Sequence, residues 1–197
     1  SSAALLAKSG YVRSLALLVV CYGVSITIVE TAWKGRLKAR YPDPNGYSAF
    51  MSAFSSATGL LTLLLMLVSR QVFRRLSWGA AAAITPCIVG GTGAVFFSLL
   101  LAPSLWERAA SGLGATPLAL AVLVGAAQNS ASKAAKYALF DPCKEMAYIP
   151  LGAEARTKGK AAIDVIGNPL GKSGGSFIQQ GLIFACGSLD ASTPVLG

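Results

Sequence analysis

The sequence predicts an all-α, polytopic membrane helix bundle, on three observations. Hydrophobic residues make up 54% of the 197-residue chain and charged residues only 13%, and the mean hydropathy of +0.59 is too high for a water-soluble domain of this length. The apolar residues fall into five runs, each near the roughly 20 residues needed to cross hydrocarbon. Lysines and arginines gather mostly in the short segments between those runs, as the positive-inside rule describes.

The first span is expected over about 12–32, after Lys8 and Arg13, with Glu30 as its one acidic residue. A secretory leader also places basic residues before an apolar run, but several more spans follow, so this segment reads as a transmembrane helix. Tyr41-Pro-Asp-Pro-Asn-Gly46 is a turn signal, with two prolines and an Asn-Gly pair, and separates it from the second span at 48–68. The second span and the third, 78–101, contain no charged residue. The fourth covers 116–139 and ends with Lys133 and Lys136. The fifth, 161–185, is interrupted at Gly167, Asn168, Pro169 and Gly171. Between these last two lies the longest hydrophilic connection, 141–160. No soluble domain, low-complexity tract or short-period repeat breaks the pattern, so residues 1–197 form one membrane domain.

Basic residues set the orientation. Lys8, Arg13, Arg70, Arg74, Arg75, Lys144, Arg156, Lys158 and Lys160 lie on one side, against Lys34, Arg36, Lys38, Arg40 and Arg108 on the other. The larger group, and the N-terminus, belong on the cytoplasm-like side. Five spans leave the C-terminus on the far side, where Ser192, Thr193, Pro194 and Gly197 read as a loop leading into a further span. The chain is therefore expected to be part of a longer protein.

The inventory excludes several chemistries. There is no histidine, so a serine triad, an HExxH site and any His-ligated metal are excluded. Cys21, Cys87, Cys143 and Cys186 are far apart with no CxxC spacing, and read as buried, inert thiols. The net charge of +9 would suggest nucleic acid in a soluble protein. In a membrane protein most of it serves topology, and the few basic residues inside spans suit a polyanionic small molecule.

Lys172 is the first of these. Asp164, Asn168, Lys172, Ser176 and Gln179 recur at steps of four, four, four and three, one face of a helix whose other positions are apolar. A charge near the bilayer centre costs roughly 2.5–3.5 kcal/mol, so the stripe implies a polar, bundle-lined path. Gly167-Asn-Pro-Leu-Gly171-Lys172-Ser173 imitates a P-loop, but only three residues separate the glycines and no strand precedes them. What remains is a broken helix with a lysine able to reach a phosphate. In the fourth span Asn129, Ser132, Lys133 and Lys136 share a face, with Gln128 adjoining. The alternative is that both lysines snorkel to the interface. Glu30 either forms a surface pair with Lys34 at i+4 or faces the cavity and balances Lys172. Trp33, taken as the interface residue, favours the cavity. Phe96 and Phe97 suit core or lipid contact better than substrate stacking, and Gly90, Gly91 and Gly93 suit close helix contact.

Longer runs carry a family resemblance: Val29-Glu30-Thr-Ala-Trp-Lys-Gly-Arg-Leu-Lys38, Tyr47-Ser-Ala-Phe-Met51, Ser132-Lys-Ala-Ala-Lys-Tyr-Ala-Leu-Phe-Asp-Pro-Cys-Lys-Glu-Met-Ala-Tyr-Ile-Pro150, Lys158-Gly-Lys-Ala-Ala-Ile-Asp164 and Asn168-Pro-Leu-Gly-Lys-Ser-Gly-Gly175. Together they resemble the ATP/ADP translocase family of plastids and intracellular bacteria, in wording closer to the plastid members. The resemblance implies a major-facilitator-like architecture of two six-helix halves, with this chain supplying five helices of the C-terminal half. It implies ATP:ADP antiport, with or without phosphate, and no cofactor beyond the transported nucleotides. Its partners would be ATP, ADP, membrane lipid and the missing N-terminal half, without nucleic acid. The location would be the plastid (chloroplast) inner envelope, with a bacterial inner membrane as the alternative. Glu30 and Lys172 match the family's charged cavity residues. Lys133, Lys136, Asn129, Asn168, Gln179 and Asp164 complete the expected substrate-binding set. Broader or proton-coupled nucleotide import, a membrane-embedded enzyme on a phosphorylated substrate, and a non-transporting scaffold stay open from the sequence.

Overall fold

The computed structural model describes residues 9–186, without the side chains of Ile166, Gly167, Asn168, Lys172, Gln179, Leu182, Ile183, Ala185 and Cys186. Among the described residues all regular structure is helical. The helices are α1 (Gly10–Arg40), α2 (Pro44–Arg75), α3 (Trp78–Leu101), α4 (Pro103–Gly112), α5 (Pro117–Ala135), α6 (Asp141–Ala147), α7 (Ala153–Ala162) and α8 (Asn168–Cys186). Two π-helical turns complete the path, π1 (Lys136–Phe140) before α6 and π2 (Ile163–Gly167) before α8.

Helix starts follow local chemistry. The side chains of Ser9, Asp43, Ser77 and Thr116 each accept a hydrogen bond from the backbone N–H three residues on, satisfying an orphan donor of the first turn. Pro44, Pro103 and Pro117 open their helices, where a missing N–H costs nothing. The cap at Asp43 draws Asn45 and Gly46 into the first turn of α2, so only part of the expected 41–46 turn is non-helical.

Both π turns precede an X-Pro pair, Asp141-Pro142 and Asn168-Pro169. The Asp141 N–H bonds back to the Lys136 carbonyl, a five-residue step. That widening leaves room for a proline ring which would otherwise strike the carbonyl four residues before it. The expected interruption of the fifth span is therefore a wide turn in a continuing helical path rather than a gap.

Helices α1, α2 and α3 are each long and apolar enough to cross a membrane, and a fourth span results if Pro103–Gly112 and Pro117–Ala147, bent by 91°, are counted together. The expected fifth span, 161–185, becomes the end of α7, π2 and α8 and does not meet the same measure among the described residues. Its glycines and polar positions dilute the apolar run.

Helix α5 is central, packing on α1, α2 and α3, while α8 packs along α1. One core cluster holds Val29, Trp33, Leu37, Phe54, Phe96 and Val122, and a second holds Val12, Val19, Phe140, Tyr148 and Ile163. Leu60, Leu63, Leu64 and Leu67 of α2 are exposed, as expected of a surface facing lipid tails. The close-contact glycines are not the expected ones. A Cβ at Gly90, Gly91 or Gly93 would meet nothing within 4 Å, whereas one at Gly171 would stand 3.1 Å from the Gly23 Cα and one at Gly175 2.7 Å from the Thr27 Cβ. Gly171 and Gly175 thus form the small-xxx-small seam that seats α8 on α1. Cys21 and Cys87 are exposed and Cys143 is buried, correcting the expectation for the first two; Cys186 lies outside the described side chains.

Candidate functional site

Trp33 fixes the site's floor. It is fully buried rather than interfacial, and its indole N–H donates to the Val122 carbonyl at 2.9 Å. Its ring lies 4.7 Å from that of Phe54, and the absent side chain of Gly125 makes room for it and for Phe96. Helices α1, α2 and α5 are locked together at this level. Glu30 stands just above, nearly one turn before Trp33.

The Glu30 carboxylate is shared. Its Oε1 lies 3.0 Å from Lys34 Nζ on the same helix and 3.4 Å from Lys133 Nζ on α5. The side chains of Glu30 and Lys133 are 26% and 33% exposed, so the pair is neither sealed in the core nor free at the surface. Lys133 Nζ also lies 5.5 Å from the centroid of Phe54, within cation–π range. Thr58 and Ser130 hydrogen-bond at 2.7 Å between α2 and α5. Two ammonium groups around one carboxylate leave a local excess of one positive charge.

The other expected residues are distributed more widely. Lys136 begins π1 and pairs with Asp141 at 2.9 Å, its ammonium 4.7 Å from the Tyr137 ring. Asp164 lies in π2, where the five-residue bonding step removes it from the four-residue spacing expected with Lys172, and its carboxylate is 2.8 Å from the largely buried Lys144. Asn129 is 1% exposed, and its amide donates to the Gly125 carbonyl at 2.9 Å. That places it in the bundle core rather than on a cavity wall. The side chains of Lys172, Asn168 and Gln179 lie outside the described residues; their backbone belongs to α8, seated on α1 by Gly171 and Gly175. Phe96 is fully buried, in edge contact with Phe97 at 5.5 Å.

Sequence reasoning missed Thr58, Ser130 and Phe54 as neighbours of the charged group. Ser55, Thr58 and Thr62 recur at helical spacing along an uncharged span, a polar stripe that was available to be read. It also missed Lys144 as the partner of Asp164, a pairing across 20 residues that ends inside π2. Gln128 is 1% exposed; its amide donates to the Ser132 hydroxyl at 3.1 Å, and its carbonyl oxygen has no partner among the described residues. Two apolar cavities of about 510 and 560 Å³ lie between α1 and α3, and neither is lined by Glu30 or Lys133.

Outside the spans, the Glu145 carboxylate 2.7 Å from Lys160 holds that ammonium above the usual lysine range. Arg156 donates to the carbonyls of Tyr148 and Ile149, which ties α7 to the end of α6.

The TLC ATP/ADP transporter family model matches residues 1–197. The chain is 57% identical over 192 residues to "ADP,ATP carrier protein 2, chloroplastic" of Arabidopsis thaliana, covering 98% of this chain and 31% of that protein. It is 54% identical to "ADP,ATP carrier protein 1" of Chlamydia muridarum, covering 97% of this chain and 36% of the relative. With the corresponding carrier of Rickettsia prowazekii it shares 45% identity over 173 residues, 87% of this chain and 35% of that one. The chain thus spans about a third of the length of these curated relatives. No solved structure matches it. The family is one of transporters, which sets aside an enzyme acting on a phosphorylated lipid. With a match along its whole length, this integral membrane chain belongs to the TLC ATP/ADP transporter family.

Proposed function

We propose that the protein is an ATP:ADP antiporter of the plastid inner envelope, and that Glu30 with Lys34 and Lys133 forms part of its phosphate-binding wall. The carrying observation is the single carboxylate held between two cations on facing helices. At fixed distance and dielectric, Coulomb attraction scales with charge, and a phosphate group carries more charge and more acceptor oxygens than a carboxylate. A nucleotide phosphate can therefore replace Glu30 as the partner of Lys133. When it leaves, Glu30 returns and the empty site is not a fixed positive trap. The Glu30–Lys133 bridge joins α1 to α5, so making and breaking it couples occupancy to the relative position of two spans.

Lys172 supplies a further cation in this scheme, and Asn168 and Gln179 supply amides for base or ribose. Asn129 acts from the core by holding α5 in place. Lys136 and Asp164, each in an ion pair near a π turn, act on helix geometry more than on substrate. Within the two-half architecture that the resemblance implies, the chain contributes part of the C-terminal half, the rest of the protein supplies the opposite wall, and rocking about a midplane site exposes it alternately. The plastid relatives' names and their 57% identity support a plastid membrane as the location.

Uptake of labelled ATP into liposomes bearing the full-length protein, preloaded with ADP or empty, tests this, with Lys172→Ala alongside. Uptake that requires internal ADP and collapses in the variant is expected. Equal uptake into empty liposomes would replace exchange with import, and absence of any nucleotide uptake would overturn the proposal.

A further inference from the structure

Between the third and fourth expected spans, the segment that carries Arg108 forms α4, a ten-residue helix set across the bundle. The Pro103–Gly112 segment meets the Pro117–Ala147 path at 91°, and the turn between them passes through Gly114 at φ 64°, a left-handed conformation that glycine adopts without steric penalty. Helix α3 is long and apolar enough to cross a membrane and α5 packs along it, so with α5 taken to cross beside α3, a helix perpendicular to the α5 path at its end runs along the membrane plane.

Its side chains are sorted by face. Successive residues advance by about 100° around an α-helix, which puts Ser104, Glu107, Arg108 and Ser111 on one arc and Leu105, Trp106, Ala109, Ala110 and Leu113 opposite them. Ala110 is 1% exposed and Trp106 half-buried, so the edge of the apolar arc rests on the bundle. The remainder does not: Leu105 and Leu113, which caps the C-terminus of α4, are 76% and 72% exposed. This surface continues from Leu101, the exposed last residue of the α3 span. Polar residues on one side and leucines on the other form the pattern of an interfacial helix.

We propose that α4 is a membrane-surface anchor. Leu105, Ala109 and Leu113 insert at the boundary between headgroups and acyl chains of the bilayer, while Ser104, Glu107, Arg108 and Ser111 face water. Glu107 and Arg108 balance in charge, so the partner is the apolar boundary of a phospholipid bilayer of any headgroup charge. Joined to α3 at one end and to α5 at the other, the anchor holds the outer ends of these two helices at a common depth.

The test places single cysteines at Leu105, Leu113, Glu107 and Ser111 of the full-length protein, freed of its own cysteines, each labelled with a nitrobenzoxadiazole fluorophore in phosphatidylcholine vesicles. Lipids brominated in the upper acyl chain are then introduced as quenchers. Emission from 105 and 113 is expected to be blue-shifted and quenched severalfold more than emission from 107 and 111. Replacing a third of the lipid with phosphatidylglycerol is expected to leave that ratio unchanged. Red-shifted, unquenched emission at 105 and 113 would place them in water. Blue-shifted emission without quenching would place them under protein, and a ratio that rises with anionic lipid would make headgroup charge the determinant. Any of these three results overturns the proposal.

Discussion

Lys133 Nζ lies 3.4 Å from Glu30 Oε1, joining α5 to α1 across 103 residues of sequence, and Lys34 approaches the same oxygen at 3.0 Å. A carboxylate with two cationic neighbours can lose one and stay neutralised, so the interhelical bond is the replaceable one. The i,i+4 bond to Lys34 is local and survives relative movement of the helices.

Glu30→Gln is expected to change exchange rather than abolish folding. Removing the carboxylate leaves two ammonium groups for substrate phosphates alone, which tightens binding and slows release. A charge-assisted hydrogen bond contributes about 1.5–3 kcal/mol, equivalent to tenfold or more in an equilibrium constant. Apparent KM for ATP and maximal exchange rate should both fall in ADP-loaded liposomes. Unchanged kinetics would remove Glu30 from the site.

The two lysines of the fourth span should separate. Lys133→Ala deletes both the Glu30 bridge and the contact with Phe54, and is expected to lower exchange about tenfold or more, with Lys133→Arg recovering much of it. Lys136→Ala deletes a pair with Asp141 whose members are both about a third exposed, so screening limits the loss to about 1 kcal/mol or less of stability. A larger exchange defect from Lys136→Ala would reverse the assignment.

Glycine substitutions distinguish a seam from an open surface. Gly171→Ala and Gly175→Ala force the α1 and α8 backbones apart and are expected to destabilise by about 1–3 kcal/mol. Gly90→Ala meets nothing and is expected to be neutral or to stabilise by up to about 1 kcal/mol through helix propensity. Thermal unfolding of the three purified variants in one detergent checks the order. Equal shifts would show that the seam does not hold α8.

The Lys144–Asp164 pair ties α6 to π2. A double-mutant cycle with Lys144→Ala and Asp164→Asn is expected to yield a coupling of about 0.5–3 kcal/mol, because Lys144 is only 10% exposed while Asp164 is 32% exposed. Strict additivity of the two single changes would mean that the pair contributes nothing.

Much of the fold was legible because it depends on local properties. Mean hydropathy and run length marked the spans, whereas the helix start at Asp43-Pro44 lay inside the segment read as a turn. Less of the site was legible. Lys34 could be paired with Glu30 by counting four residues, but Lys133 could not, since that contact depends on how α1 and α5 are rotated and how deep each sits. Trp33 looked interfacial because tryptophan favours membrane boundaries, and its burial required the space left by Gly125 on another helix.

By itself, then, the sequence determined that the chain is helical, lies in a membrane, belongs to a nucleotide-transporter family and places charges where a bilayer disfavours them. Those properties follow from composition, periodicity and runs of adjacent residues. Tertiary structure alone decided that Lys133 meets Glu30, that Lys144 takes Asp164, that Gly171 and Gly175 rather than Gly90 and Gly91 hold two helices together, and that α4 lies across the bundle. Each of these depends on helix rotation, depth or a π turn that shifts the phase of everything after it, and none of those quantities is encoded at a single position.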